Sequence, residues 1–250
     1  MTAKKTLALI LFLAAGSGLH SQSFREEQMA HVRVAKAYEE KSGIVMARLE
    51  TRSLDLSSLE IFMRAFKKER KLEIWGRDSL QPQFVLLGEY RICRTSGNPG
   101  PKRKRGDLQI PEGFYHIDRF NPWSQFYLSL GINYPNRSDS LLSGTTDLGG
   151  DIFIHGACVT IGCLPMTDDR IREIYLLAVE AVNSGQEKIP VQIFPVRMQG
   201  DGYQALLDEY AGDESLLAFW RMLEEGFLYF EMNKTLPLIT IDKEGRYCFY

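Results

Sequence analysis

Between residues 58 and 198 short apolar runs alternate with charged or glycine- and proline-rich segments, and one stretch has a helical period. That arrangement predicts a mostly β unit with one covering helix. "EIFMRAFKKERKLEIWG" holds two apolar runs around "KKERK", the pattern of a β-hairpin with a solvated turn. "FVLLGEYRIC" reads as a further strand, and "RTSGNPGPKRKRGDLQIPEG" as a long loop. In "GFYHIDRF", alternation places Phe114, His116 and Asp118 on one face and Tyr115, Ile117 and Arg119 on the other. "QFYLSLGINYP", "DIFIHG" and "VQIFPV" continue the strand-rich section. The helix is "TDDRIREIYLLAVEAVNSG". Thr167 can cap it, Asp168 and Asp169 suit the positive end of its dipole, and Gly185 supplies a stop. Ile171, Ile174, Tyr175, Ala178 and Val182 recur at helical spacing.

Helical patterns flank this unit. Residues 24 to 41 read as one amphipathic helix with Met29, Val32, Ala35 and Ala37 in its stripe, and His31 as a surface residue. Residues 42 to 58 show no period and read as a connector. Residues 202 to 233 predict two helices, and "LITIDKEGRYCFY" a terminal hairpin.

At the N-terminus, two lysines precede a run of about ten mostly apolar residues from Thr6 to Ala15, followed by "GSGLHSQS". That is the order of a secretory signal peptide with cleavage near residue 21. The run is shorter than the roughly 20 residues of a membrane-spanning helix. The expected division is therefore 1–21 signal peptide, 22–57 helical segment and connector, 58–198 the central unit, and 199–250 a helical and hairpin extension. Removing Lys4 and Lys5 with the signal moves the formal charge from −2 to −4. A mildly acidic balance argues against general nucleic-acid binding. The expectation is an exported chain without a stable membrane span.

The chemistry concentrates in "DIFIHGACVTIGCLPMTDD", residues 151 to 169. A thiol attacks as its thiolate, so a catalytic cysteine needs a base and access to substrate. Fully extended, the eight positions from His155 to Cys163 would span about 26 Å, so the chain must fold back for imidazole and sulfur to meet. Gly156 and Gly162 sit just inside the two ends, where unusual backbone angles cost least. Gly162 also clears space beside Cys163 for backbone N–H groups to face an oxyanion. Cys158 lies in the strand-like "ACVTI" run and is the weaker nucleophile. A Cys158–Cys163 disulfide is conceivable and would silence Cys163. A metal held by His155, Cys158 and Cys163 is a further option, since zinc accepts these donors, although no fourth ligand is evident. Cys93 and Cys248 lie in strand-like runs, as a structural pair or, by slight preference, as two buried thiols. On the residues alone a thiol enzyme, structural thiols and a metal site all stay open. The basic run Lys102 to Arg105 reads as a solvated loop tip, with contact to an anionic ligand as the rival. His116 is an alternative base and more simply a structural histidine.

"HGACVTIGCLPM" resembles the active-site segment of the L,D-transpeptidase (YkuD-like) catalytic domain, nearest its YafK-like branch. The resemblance runs over about residues 58 to 198, through "AFKKERKLEIW", "PEGFYHI" and "LSLGINYPN", with "FWRMLEEGFLYFE" and "GRYCFY" also fitting that branch. It implies an α+β, mainly β fold with helical N- and C-terminal additions. It implies Cys163 as nucleophile, His155 as general base, and Thr160 as the residue whose backbone or side chain orients the histidine. Backbone amides around Gly162 and Cys163 would form the oxyanion hole, with Gly156 and Ile161 also lining the substrate site. The broader family places a histidine two positions before the cysteine and an arginine two positions after it. Ile161 and Pro165 stand there in this chain. The implied partners are peptidoglycan stem peptides, with a wall-linked protein as a further candidate. The implied reaction is transpeptidation or, by preference for this branch, hydrolysis that releases wall-linked groups in the periplasm. No cofactor is implied. The rivals are a peptidoglycan-binding module on the same fold and a metal-dependent hydrolase.

Overall fold

The computed structural model describes residues 22–250. The signal-peptide reading concerns residues 1 to 21 and lies outside them. Two helices open the described chain, α1 (Phe24–Met29) and α2 (Val32–Glu50). Then come β1 (Leu59–Phe66), β2 (Lys71–Asp78), β3 (Val85–Arg91), β4 (Gly113–Asn121) and β5 (Ser129–Ile132). After α3 (Arg137–Leu142), strands β6 (Phe153–His155) and β7 (Leu164–Pro165) flank the cysteine loop. The chain continues through α4 (Asp168–Asn183), β8 (Pro190–Phe194), α5 (Asp201–Glu209), α6 (Glu214–Asn233), β9 (Ile239–Ile241) and β10 (Tyr247–Phe249).

Eight strands form one sheet in the order β3-β2-β1-β8-β4-β5-β6-β7, and β9 and β10 form a separate hairpin. The β1–β8 and β6–β7 pairs are parallel and the others antiparallel. The fold is α+β and mainly β, as the sequence predicts. On one face α4 lies over the sheet, its Thr167 hydroxyl accepting from the Arg170 N–H at 3.3 Å, with α2 packed outside it. Ile171, Ile174, Tyr175 and Ala178 are fully buried there. On the other face Phe66, Phe114 and Phe194 pack against Trp220, Leu223 and Phe227 of α6. Burying such aromatic faces contributes on the order of 2 kcal/mol per side chain, so the C-terminal elements complete a second core.

Three local expectations are corrected. The helix predicted over residues 24 to 41 breaks at Ala30 and His31, and its second half runs on to Glu50 through the predicted connector. Its buried stripe is Val34, Ala37, Lys41, Val45 and Leu49. A lysine in that stripe interrupts the apolar period. Lys41 is buried because Asp169 and Glu173 of α4 accept its ammonium, at 2.5 and 3.4 Å. His31 stands half-buried, edge-on to Trp123 at 5.0 Å. Nor is the "KKERK" turn wholly solvated. Lys67 turns inward and donates to the carbonyls of Asn98, Gly100 and Ile110 and to the Glu112 carboxylate, so it anchors the long loop.

Candidate active site

The sheet's register builds the site. Phe120, Leu130, Ile154 and Leu164 are paired in one row across β4 to β7, and the last three are fully buried. Because side chains alternate along a strand, the residues flanking this row face the opposite side. There Ser129 is paired with His155, and Gly131 with Phe153. His155 is in turn paired with Pro165, two residues after Cys163. On ordinary strand spacings that sets the backbones of His155 and Cys163 roughly 8 Å apart. The intervening loop folds back as the eight-residue interval requires.

His155 is nearly sealed, at 1% exposure, and the Phe126 ring lies over its imidazole at 4.6 Å. Its Nδ1–H donates to the Gly156 carbonyl, which leaves Nε2 as the acceptor nitrogen. Burial holds its pKa below the ordinary histidine value, against the raising effect of that carbonyl. Cys163 is half-buried and carries a free thiol. Its Sγ–H donates to the Asp151 carbonyl at 3.7 Å. Burial pushes the thiol pKa up; the Phe153 N–H opposes this, Asp151 adds to it, and Lys102 opposes it. Both groups therefore rest neutral at pH 7, and a thiolate forms there by giving its proton to a nearby base.

Two glycines make the turn possible for different reasons. Gly162 adopts φ +140°, a conformation open to glycine, as expected. Gly156 is needed for space instead, since a Cβ there would come within 2.7 Å of both Asp168 Oδ1 and the Phe126 carbonyl. The left-handed residue at that end is Ala157, at φ +57°, and its N–H donates to Asp168 Oδ1 at 2.8 Å.

The Thr160 hydroxyl bonds within the cysteine turn. It donates to the Cys163 carbonyl at 2.8 Å and accepts from the N–H groups of Gly162 at 3.1 Å and Cys163 at 2.8 Å. It thus shapes the cysteine turn, while the Gly156 carbonyl orients the imidazole. The two amides expected to form an oxyanion hole are occupied by this hydroxyl. Ile161 stands 78% exposed at the rim. Thr160→Val should leave the two N–H groups without their acceptor and cost about 1–2 kcal/mol. Chemical denaturation checks this against the wild type.

The remaining candidates are separated. Cys158 is bonded to Cys93, with Cα atoms 5.7 Å apart, so neither Cys93–Cys248 nor Cys158–Cys163 is the pairing. Cys93 follows β3 but leaves the sheet edge to meet the 156–162 loop, a long-range contact that sequence spacing does not encode. The metal set of His155, Cys158 and Cys163 fails because the Cys158 sulfur is already bonded. Among the described residues no group of three acidic, histidine or cysteine side chains is arranged to hold a metal. Replacing Cys93 and Cys158 by alanine reopens a 65-residue separation and should cost about 4 kcal/mol on a chain-entropy account. Melting of the oxidised wild type against the double variant measures it. Cys248 keeps a free thiol.

His116 is partly buried beside Lys188 and Asp118, and burial lowers its pKa. The basic run does not form a wholly solvated tip: Lys102 is buried against Asp107, Arg103 reaches Asp139, and Arg105 pairs with Asp147. Sequence reasoning missed Phe126 and Asp151. Phe126 is one of several aromatics in "NPWSQFYL", and nothing local distinguishes it.

Comparison with known proteins gives a consistent result. The family model described as the YkuD L,D-transpeptidase catalytic domain matches residues 63–193. YafK of Escherichia coli K12, whose name assigns it only provisionally as an L,D-transpeptidase, is 34% identical over 189 residues, 75% of this chain and 72% of that protein. Among solved structures, the helical cell shape determining protein Pgp2 from Campylobacter jejuni aligns with TM-score 0.44 and 19% identity, over 74% of this chain and 73% of that one. Bd1075 of Bdellovibrio bacteriovorus aligns with TM-score 0.39 and 21% identity, over 68% and 62%.

Proposed function

The chain belongs to the YkuD family of L,D-transpeptidase catalytic domains, and on that premise we propose that it transfers acyl groups of peptidoglycan stem peptides through a thioester at Cys163. The observation that carries this reading is the tautomer of His155. With Nδ1–H committed to the Gly156 carbonyl, Nε2 is the nitrogen left to accept a proton, and His155 is paired with Pro165, two residues after the free thiol of Cys163.

In the proposed reaction Nε2 takes the Cys163 proton as sulfur attacks the carbonyl carbon of a diamino-acid residue. A C–S bond forms and, as the tetrahedral intermediate collapses, the C–N bond breaks. The imidazolium returns its proton to the leaving amine. An acceptor amine or water then attacks the thioester while Nε2 takes its proton; the C–S bond breaks, the sulfur recovers that proton, and a new cross-link or simple cleavage results. Hydrolysis is the preferred outcome, with a wall-linked protein or amino acid as the released group. Gly156 fixes the imidazole, Thr160 fixes the cysteine turn, and Ile161 lines the rim. Substrate of this kind lies outside the cytoplasm, in keeping with an exported, periplasmic enzyme. Among the described residues no helix is long and apolar enough to cross a membrane.

The test is intact-mass analysis of the purified protein incubated with tetrapeptide muropeptides, followed by product identification. A mass increase mapped to Cys163, with shortened or cross-linked peptide, is expected. Binding without adduct or product would overturn the enzyme reading in favour of a wall-binding module.

A further inference from the structure

Beside the thiol lies an ion pair that the acyl-transfer steps do not use. Arg119, Gly131 and Phe153 are paired in one row across β4, β5 and β6. Gly131 lets the arginine lie flat across the middle strand. A Cβ there would come 2.9 Å from Arg119 Nε and 3.2 Å from its Cβ. The guanidinium thereby reaches the Phe153 ring, 4.9 Å from its centroid. Its Nη1 donates to Asp151 Oδ1 at 2.9 Å and its Nε to Asp118 Oδ1 at 3.2 Å. Asp151 is also the residue whose carbonyl accepts from the Cys163 thiol, and it is held at φ +56°. A cation and an anion thus stand side by side, the anion on the residue whose carbonyl lies 3.7 Å from the sulfur. Both are open to solvent, with side chains 45% and 80% exposed.

We propose that Arg119 and Asp151 form the subsite for the free amino-carboxylate end of the diamino acid whose other carbonyl Cys163 attacks. The carboxylate docks on Arg119 and the ammonium on Asp151. This rests on the thiol reading of the site and names the substrate feature that the site selects. The selectivity follows from charge balance. A lone carboxylate taking Arg119 would leave Asp151 without its partner, and a lone ammonium would do the reverse. A group carrying both charges on one carbon meets both ions at once, while Arg119 Nε keeps its contact to Asp118. The chain between the two ends of such a residue is about 5 Å long, comparable to the ~4.8 Å between adjacent strands.

The test uses the Cys163→Ala chain, so that binding is read without turnover. Calorimetry compares stem tripeptides ending in meso-diaminopimelate or in lysine, which lacks the second carboxylate. The diaminopimelate peptide should bind about tenfold more tightly, the order expected of a solvent-exposed charged contact. Arg119→Ala in the same background should abolish that preference while changing lysine-peptide affinity less than about threefold, and Arg119→Lys should keep part of it. If Arg119→Ala fails to fold, Arg119→Gln is read in its place and should also lose the preference. Equal affinities, no binding of either peptide, or a preference that survives these substitutions would overturn the subsite. Absence of turnover by the unsubstituted protein, with the preference intact, would overturn the thiol reading alone.

Discussion

Cys163→Ala should abolish turnover of stem peptides, a fall of about 10⁴-fold or more, while leaving the melting temperature close to that of the parent. The sulfur is half-buried, and its one hydrogen bond is a long thiol contact to the Asp151 carbonyl, so its loss removes little packing. What disappears is the atom that would form the acyl-enzyme. Residual binding cannot replace it, because holding a peptide beside an imidazole supplies no covalent intermediate. Product analysis by mass spectrometry with matched protein concentrations reads the effect. Turnover persisting within tenfold of the parent would place the chemistry elsewhere in the molecule.

The second large effect is at His155. His155→Ala should lower kcat by about 10²–10⁴-fold, and the shape of the pH profile identifies the cause. Burial holds the imidazole below the ordinary histidine pKa and the Cys163 thiol above its own. The resting pair is therefore neutral near pH 7, and attack requires an imidazole that can accept a proton. Activity should be full above the ordinary histidine value and fall only as pH drops through the lowered one. The acid limb of kcat/KM is thus expected below about pH 6.5. Iodoacetamide labelling of Cys163 gives an independent reading. In the parent it should follow His155 in the acid range; in His155→Ala it should rise only at alkaline pH, where the thiol ionises unaided. Matching labelling profiles in the two proteins would count against a proton-accepting role for this imidazole.

Much of the architecture was legible because its signals are local. The β1–β2 hairpin, the capped α4 and the terminal hairpin each carry their period, cap or turn residues within a short window. The same holds for the fold-back between His155 and Cys163, which is signalled by its length and by Gly162. Expectations failed where a distant partner changed what a residue was worth. Lys41 interrupts the stripe of α2 until Asp169 and Glu173 neutralise it. Cys158 was open to a bond with Cys163 or to a metal, and its bond is to a cysteine 65 positions away.

By itself the sequence determined most strands and the covering helix of the central unit, the family, and a fold-back between a histidine and a cysteine through a short glycine-bearing loop. These rest on backbone preferences and residue spacing, which act within a few turns of chain. Strand register decided the rest. It paired Arg119 with Gly131 and Gly131 with Phe153, and it turned His155 away from the core beneath Phe126. Register is set by the simultaneous burial of Leu130, Ile154 and Leu164 from three strands. A slip of one residue would send those three to solvent and the site residues into the core. The positions of the charged pair and of the thiol are therefore consequences of packing the opposite face of the sheet.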